Sequence, residues 1–314
     1  MQICAAGAMA SAVVYCIYRR SCHRSPPPAV CPPSAVRRRV DELWLISAVD
    51  LLQDLQSGRV TPEMLIDAAV QRIKATDSQV NAIATLCEER ARERAAAFAS
   101  AGGAPGPLFG LPVLVKDNQP VAGLRCTEGA TMYADRIATK SHPIVAAIEA
   151  AGGIVLGLTN MPEHAAGSHT FNPVFGTTFN PFDLTRTAGG STGGGAAALA
   201  CGSAWLATGN DLGGSLRNPA AFNNVVGLRP TPGRCAMPAP PATAWRGRWS
   251  IGLHSVQGPL GRTVEDVALL LDALAPRAYP IVPDVTAVDV TAVDVTAVDV
   301  TAVDVTAVDV TSCS

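Results

Sequence analysis

The sequence predicts an α/β protein: a mixed, mainly parallel sheet covered by helices on both faces. Three observations carry that expectation. Apolar runs of strand length alternate with segments of helical pattern. Helix-start residues stand ahead of the helical segments. The 314 residues, 48% hydrophobic and 16% charged, are enough to bury a sizeable core.

The elements follow in order. A helix is expected near Ser47 to Gln56, ended by Gly58, and a second begins where Thr61 caps and Pro62 takes the first turn. An Arg/Glu-rich helix near Glu88 to Ser100 leads through a Gly/Pro turn to the apolar strand Leu111 to Val115, which stops at Lys116. Pro143 to Ala151 reads as helix, Gly152 and Gly153 break it, and Ile154 to Leu158 reads as strand. The last helix starts at Thr263 with Asp266 in capping-box position, placing Val267, Leu270, Leu271 and Leu274 on one stripe.

Three regions differ in character: a leader over 1–40, a folded body over 41–275, and a linker and tail over 276–314. The leader holds an apolar run, 3–18, followed by arginines; it has six Arg and no acid. Sixteen residues are short for a membrane span, and a secretory signal carries its charge before the apolar run. A membrane anchor, an organellar transit peptide and a non-native upstream extension all remain open. The tail repeats Asp-Val-Thr-Ala-Val five times from Asp284 to Val308. A period of five keeps no face apolar in either a strand or a helix, so an extended or disordered tail is expected.

Net charge is −2, but beyond the leader 18 basic residues face 26 acidic ones. No basic stripe for a phosphate backbone is present, so nucleic-acid binding is not expected and a small-molecule substrate is. Nine cysteines without a C-x-x-C pair or zinc spacing indicate neither a disulfide framework nor a metal site, and suit a reducing, cytoplasmic compartment for the body.

The densest chemical signal is Gly189-Gly-Ser191-Thr192-Gly-Gly-Gly195, an Ala-rich helix, then Gly209-Asn-Asp211-Leu212-Gly213-Gly214-Ser215-Leu-Arg217. Gly-rich loops are often only tight turns. Gly189 to Gly193 also fits a G-x-S-x-G nucleophile elbow, but Asp183 to Thr187 before it is polar, not the apolar strand an elbow requires. The Lys-Ser/Thr ending of a phosphate loop is missing.

These segments resemble the amidase-signature family. So do Gly110-Leu-Pro-Val-Leu-Val-Lys116-Asp-Asn118, Thr159 to Glu163, Asn172 to Gly176, Val226 to Thr231 and Gly258 to Thr263, with 75 residues from Lys116 to Ser191 and 24 more to Ser215. The resemblance covers about 41–275. It implies a cofactor-free hydrolase of carboxylic amides with a Ser-Ser-Lys triad: Ser215 attacks, Ser191 relays its proton and Lys116 is the terminal base. It further implies a cis Gly190–Ser191 peptide and an oxyanion hole of backbone N–H groups around Leu212, Gly213, Gly214 and Ser215. Thr192 replaces the family's usual second serine and Asn210 its usual threonine or serine. Asp211 and Arg217 are expected to brace the loop. His164, His169 and His254 are expected to be structural, and Cys126 and Cys201 small buried fillers. Family members continue beyond the position of Ala275 with sheet-completing strands, where this sequence has its repeat. Two further readings stay open: an inactive fragment, and a glutamine-hydrolysing component of an amidotransferase with the same residues.

Overall fold

The computed structural model describes residues 38–101, 106–237 and 254–275. The apolar stretch 3–18 and the repeat 284–308 lie outside the described residues. Arg38, at the end of the Arg-rich flank, donates from Nε to Asp54 at 2.6 Å.

Local signals place the helices. Helix α1 (Ala48–Gln56) is capped by Ser47, whose hydroxyl accepts from Asp50 N–H at 3.1 Å. Helix α2 (Pro62–Val80) is capped in the same way by Thr61, with Met64 N–H as donor at 3.3 Å. Helices α3 (Glu88–Ala101) and α4 (Pro143–Ala150) follow, then α5 (Gly193–Ala200), α6 (Arg217–Phe222) and α7 (Val264–Leu274). The α7 box differs from expectation. Thr263 accepts from Asp266 N–H at 3.1 Å, but the Asp266 carboxylate accepts from Val49 N–H at 3.2 Å and so ties the starts of α7 and α1 together. On the α7 stripe Val267, Leu270 and Leu274 are buried, while Leu271 is only partly so.

The main sheet contains β1 (Ile83–Leu86), β2 (Pro112–Lys116), β3 (Ile154–Thr159), β8 (Leu206–Asp211), β9 (Val226–Gly227) and β10 (Val256–Gly261), in the order β1-β3-β2-β8-β10-β9. Pairing is parallel through β3-β2-β8 and antiparallel at the flanks, which leaves four strands sharing one direction. Every residue of β2, β3 and β10 is buried. Successive side chains of a strand point to opposite faces, so both faces of the sheet are covered. Strands β4 (Phe171–Asn172) with β5 (Gly176–Thr177), and β6 (Phe179–Asn180) with β7 (Asp183–Thr187), form two small hairpins outside this sheet. Because β7 is a mostly exposed hairpin strand, the segment before Ser191 is not the buried sheet strand of a nucleophile elbow. Among the described residues no helix is long and apolar enough to cross a membrane, and no group of three or more His, Cys, Asp or Glu could hold a metal ion.

Lys116, Thr159 and Asp211 are the last residues of β2, β3 and β8. The site therefore gathers at the carboxyl ends of parallel strands, where open α/β sheets bind ligands. Behind it, α5 is buried from Gly193 to Leu199, and its glycines let backbone meet backbone. A Cβ on Gly194 would lie 2.5 Å from Asn160 N and 2.6 Å from Ala82 O. Gly194→Ala is therefore expected to lower stability by about 1–3 kcal/mol through overpacking, despite alanine's better helix propensity; thermal or urea unfolding measures this, and an unchanged or raised midpoint would contradict the packing.

Candidate active site

Lys116 is the second-largest fully buried side chain among the described residues, at 0% exposure. It ends the central strand β2, held by β3 on one side and β8 on the other. Its Nζ lies 2.7 Å from Ser191 Oγ, 3.1 Å from Thr192 Oγ1 and 2.7 Å from Asn210 Oδ1. Burial pushes the amine well below the ordinary lysine range, and the charge of Asp211 opposes this only in part. An ammonium would donate to all three oxygens. A neutral amine has two N–H groups and one lone pair, so it can donate twice and accept once.

The loop that carries Ser191 is set by backbone. Gly189 has φ +74°, the Gly190–Ser191 peptide is cis, and both Ser191 and Thr192 are buried. Thr170 Oγ1 donates to Gly189 O at 2.8 Å and accepts from Gly193 N–H at 3.2 Å, clamping the loop from behind. On β8 a Cβ at Gly209 would sit 2.4 Å from Thr192 Cγ2. Glycine there gives Thr192 its room beside Lys116.

Beyond β8, Asp211 organises the second loop. Its carboxylate accepts from Gly214 N–H at 2.8 Å, Leu216 N–H at 3.2 Å, and Arg217 Nε and Nη2 at 3.0 and 3.1 Å. Arg229 Nη1 adds a bond at 3.1 Å and also donates to the Asp211 carbonyl. Burial alone would raise this carboxyl, but Arg217 and the two amides outweigh it and hold it at about 2. Leu212, Gly213 and Gly214, expected as oxyanion donors, stand in this loop. Gly214 N–H is already committed to Asp211, whereas the amides of Leu212, Gly213 and Ser215 are in no hydrogen bond among the described residues. Ser215 is half-buried, and its carbonyl accepts from Thr192 N–H at 3.2 Å, joining the two loops. Among the described residues no hydrogen bond reaches its hydroxyl. Lys116, Ser191 and Thr192 are thus brought into direct contact, and Ser215 adjoins them through its backbone.

Three contacts are not singled out by the sequence. Asn210 touches the Lys116 amine directly. Asn118 Nδ2 donates to Asn210 Oδ1 at 3.3 Å. Gln119 Oε1 accepts from Lys116 N–H at 3.0 Å and from Thr208 Oγ1 at 2.6 Å, while its Nε2 donates to Gly209 O and Gln257 Oε1. Asn118 and Gln119 stand two and three residues after Lys116 as the chain leaves an apolar strand, which is the signal that could have found them. His164 stacks edge-on against Tyr133 with Nδ1 3.7 Å from Glu128, and among the described residues the His169 ring has no hydrogen-bond partner at Nδ1. His254 is exposed. Cys126 and Cys201 are buried free thiols.

A parallel-centred α/β sheet that presents a desolvated lysine to a cis-peptide serine loop, with a second glycine-flanked serine beside it, defines the class of the amidase-signature enzymes. The chain belongs to that family: the family model described as Amidase matches residues 64–296. It is 40% identical over 235 residues to a glutamyl-tRNA(Gln) amidotransferase subunit of Lacticaseibacillus casei, covering 73% of this chain and 46% of that protein. It is 38% identical over 238 residues to the indoleacetamide hydrolase of Bradyrhizobium diazoefficiens, covering 75% and 45%. Among solved structures, a bacterial aryl acylamidase of the amidase-signature family superposes with a TM-score of 0.68 at 32% identity, over 74% of this chain and 48% of that one. The chain spans about half the length of the curated relatives it matches.

The buried amine links stability to pH. The unfolded chain keeps Lys116 protonated up to about 10.4, whereas the folded chain releases that proton at lower pH, so the unfolded state binds more protons in between. The folded state is thus disfavoured progressively as pH falls from the ordinary lysine value toward the depressed one. Lys116→Met removes this dependence, and its melting temperature should fall less than that of the native chain between pH 10 and pH 7. Parallel curves in thermal melts would contradict the depressed value.

Proposed function

We propose that this protein hydrolyses a carboxylic amide through an acyl-enzyme on Ser215, using Ser191 as proton relay and Lys116 as terminal base. The observation that carries the reading is the fully buried Lys116 Nζ, 2.7 Å from Ser191 Oγ. A serine hydroxyl needs a base to become a nucleophile, and a lysine serves only when neutral.

Ser215 Oγ forms a bond to the amide carbon while its proton passes to Ser191 Oγ and the Ser191 proton to Lys116 Nζ. The carbonyl oxygen takes the negative charge and is met by the unengaged amides of the 212–215 loop. Return of the proton by the same path to the amide nitrogen lets the C–N bond break and the amine leave. Water then attacks the acyl carbon with the same base and frees the acid. Every group in this scheme belongs to the chain, so no cofactor is called for.

A second reading is favoured by the amidotransferase relatives: the amide would be that of glutamine and the ammonia would pass to the reaction of a partner protein. The segment Leu216-Arg217-Asn218-Pro219 and the pair Asn223-Asn224 look more like those of stand-alone amidases, but the asparagine pair does not decide between the two readings. Asn223 is buried and donates to Ala188 O and Pro219 O at 2.7 and 2.8 Å, so it serves the fold. Asn224 occupies a left-handed backbone position, φ 52°.

A fluorophosphonate probe should label Ser215, as located by peptide mass spectrometry. Lys116→Ala should slow labelling by about 100-fold or more, and Lys116→Arg should not restore it, because arginine stays protonated. Label on Ser191 that persists in Ser215→Ala would overturn the assignment of roles.

A further inference from the structure

We infer that Asn210 is a positioning residue for the Lys116 amine: its Oδ1 takes one N–H and thereby leaves the nitrogen free to face the Ser191 hydroxyl. The inference rests on the reading of Lys116 as terminal base. Three observations support it. The Oδ1–Nζ distance, 2.7 Å, equals that to Ser191 and is shorter than the 3.1 Å to Thr192. The amide is held from its other sides, with Asn118 Nδ2 donating to the same Oδ1 at 3.3 Å and Asn210 Nδ2 donating to Ser255 Oγ at 3.3 Å. The backbone of Asn210 is fixed within β8, opposite Gln257 of β10.

The chemistry of the acceptor matters. A hydroxyl, the family's usual group at this place, can either donate or accept, so it can also consume the amine's lone pair. An amide oxygen has no proton to give. Nζ must therefore donate to Asn210, and the closer of the two remaining hydroxyls is Ser191. Asn210 thus does by hydrogen-bond polarity what a hydroxyl would do only in one of its rotamers.

The surroundings make the position electrically sensitive. The charge acting on Lys116 is that of Asp211, which Arg217 and Arg229 already hold. The Asp117 carboxylate is engaged by Thr127 N–H and Oγ1. Strand β3 and helix α5, both packed against β2, contain no charged residue. Helix α2, the other neighbour of β2, directs Arg72 to Cys201 O and Asp77 to Ala82 and Ile83 N–H. A new carboxylate at 210 would act directly on the Lys116 amine.

The test is the rate of fluorophosphonate labelling of Ser215 in the full 314-residue chain, followed from about pH 5 to about pH 10, a range that brackets a depressed lysine value. Two near-isosteric substitutions are compared with the native chain. Asn210→Asp should move the midpoint of the rate profile upward by about one unit or more, because a carboxylate beside the amine favours its charged form, and should approach the native plateau at high pH. Asn210→Leu, which offers no acceptor, should lower the plateau about tenfold, since an unaligned base loses part of its effect. A purely structural role would change melting temperature and leave both profiles native in shape. Native profiles in both variants, with labelling still abolished by Lys116→Ala, would overturn the positioning role alone. Native labelling in Lys116→Ala would overturn it together with the base assignment.

Discussion

The site depends on one constraint: an amine with no access to water. In solution a lysine near pH 7 is protonated by about a thousand to one and is no base. An unpaired ammonium inside a protein costs several kcal/mol, which the chain avoids by releasing the proton. Lys116 is placed where burial favours that release. It closes the middle strand of the parallel triplet β3-β2-β8, with no exposed surface and oxygens of Ser191, Thr192 and Asn210 around its nitrogen. The same hydrogen bonds that satisfy the amine align it with the serine.

A second device keeps that arrangement from being undone. Asp211 stands one residue beyond Asn210, and its negative charge tends to return the proton to Lys116. Two arginines and the amides of Gly214 and Leu216 absorb that charge. In doing so they fold the chain after β8 into a loop whose remaining amides, those of Leu212, Gly213 and Ser215, are in no hydrogen bond among the described residues. One carboxylate therefore serves as the organising centre of the loop that carries Ser215, while its charge opposes the effect of burial on Lys116 only in part. Glycines complete the fit at particular places: at 209 for Thr192, and at 194 for the close approach of α5 to Asn160 and Ala82.

Much of this is legible in the sequence because it is local. Caps at Ser47, Thr61 and Thr263 and the exit of the apolar strand at Lys116 depend on neighbours within four residues. The cis peptide before Ser191 is expected only from family resemblance, since nothing local in Gly190-Ser191 demands it. The rest depends on pairing between distant segments. The Asn210–Lys116 contact spans 94 residues and exists only because β2 and β8 are adjacent. Asp266 has the sequence position of the second half of a capping box, but the packing of α7 against α1 gives its carboxylate a different amide. Gly214 N–H donates to the carboxylate of Asp211, three residues before it, a pairing that the sequence does not announce.

The central claim is that Lys116 is neutral at the pH where the protein works. The chain has only three lysines, Lys74, Lys116 and Lys140, so lysine labelled with carbon-13 at Cε gives three resonances whose titration can be followed by NMR. Two of these remain in Lys116→Met, and the ordinary lysine value is about 10.4. The third, absent in Lys116→Met, should keep the shift of an uncharged amine to pH values well below that ordinary value. If that resonance titrates near the ordinary value, Lys116 is an ammonium in the folded protein and cannot be the base described here.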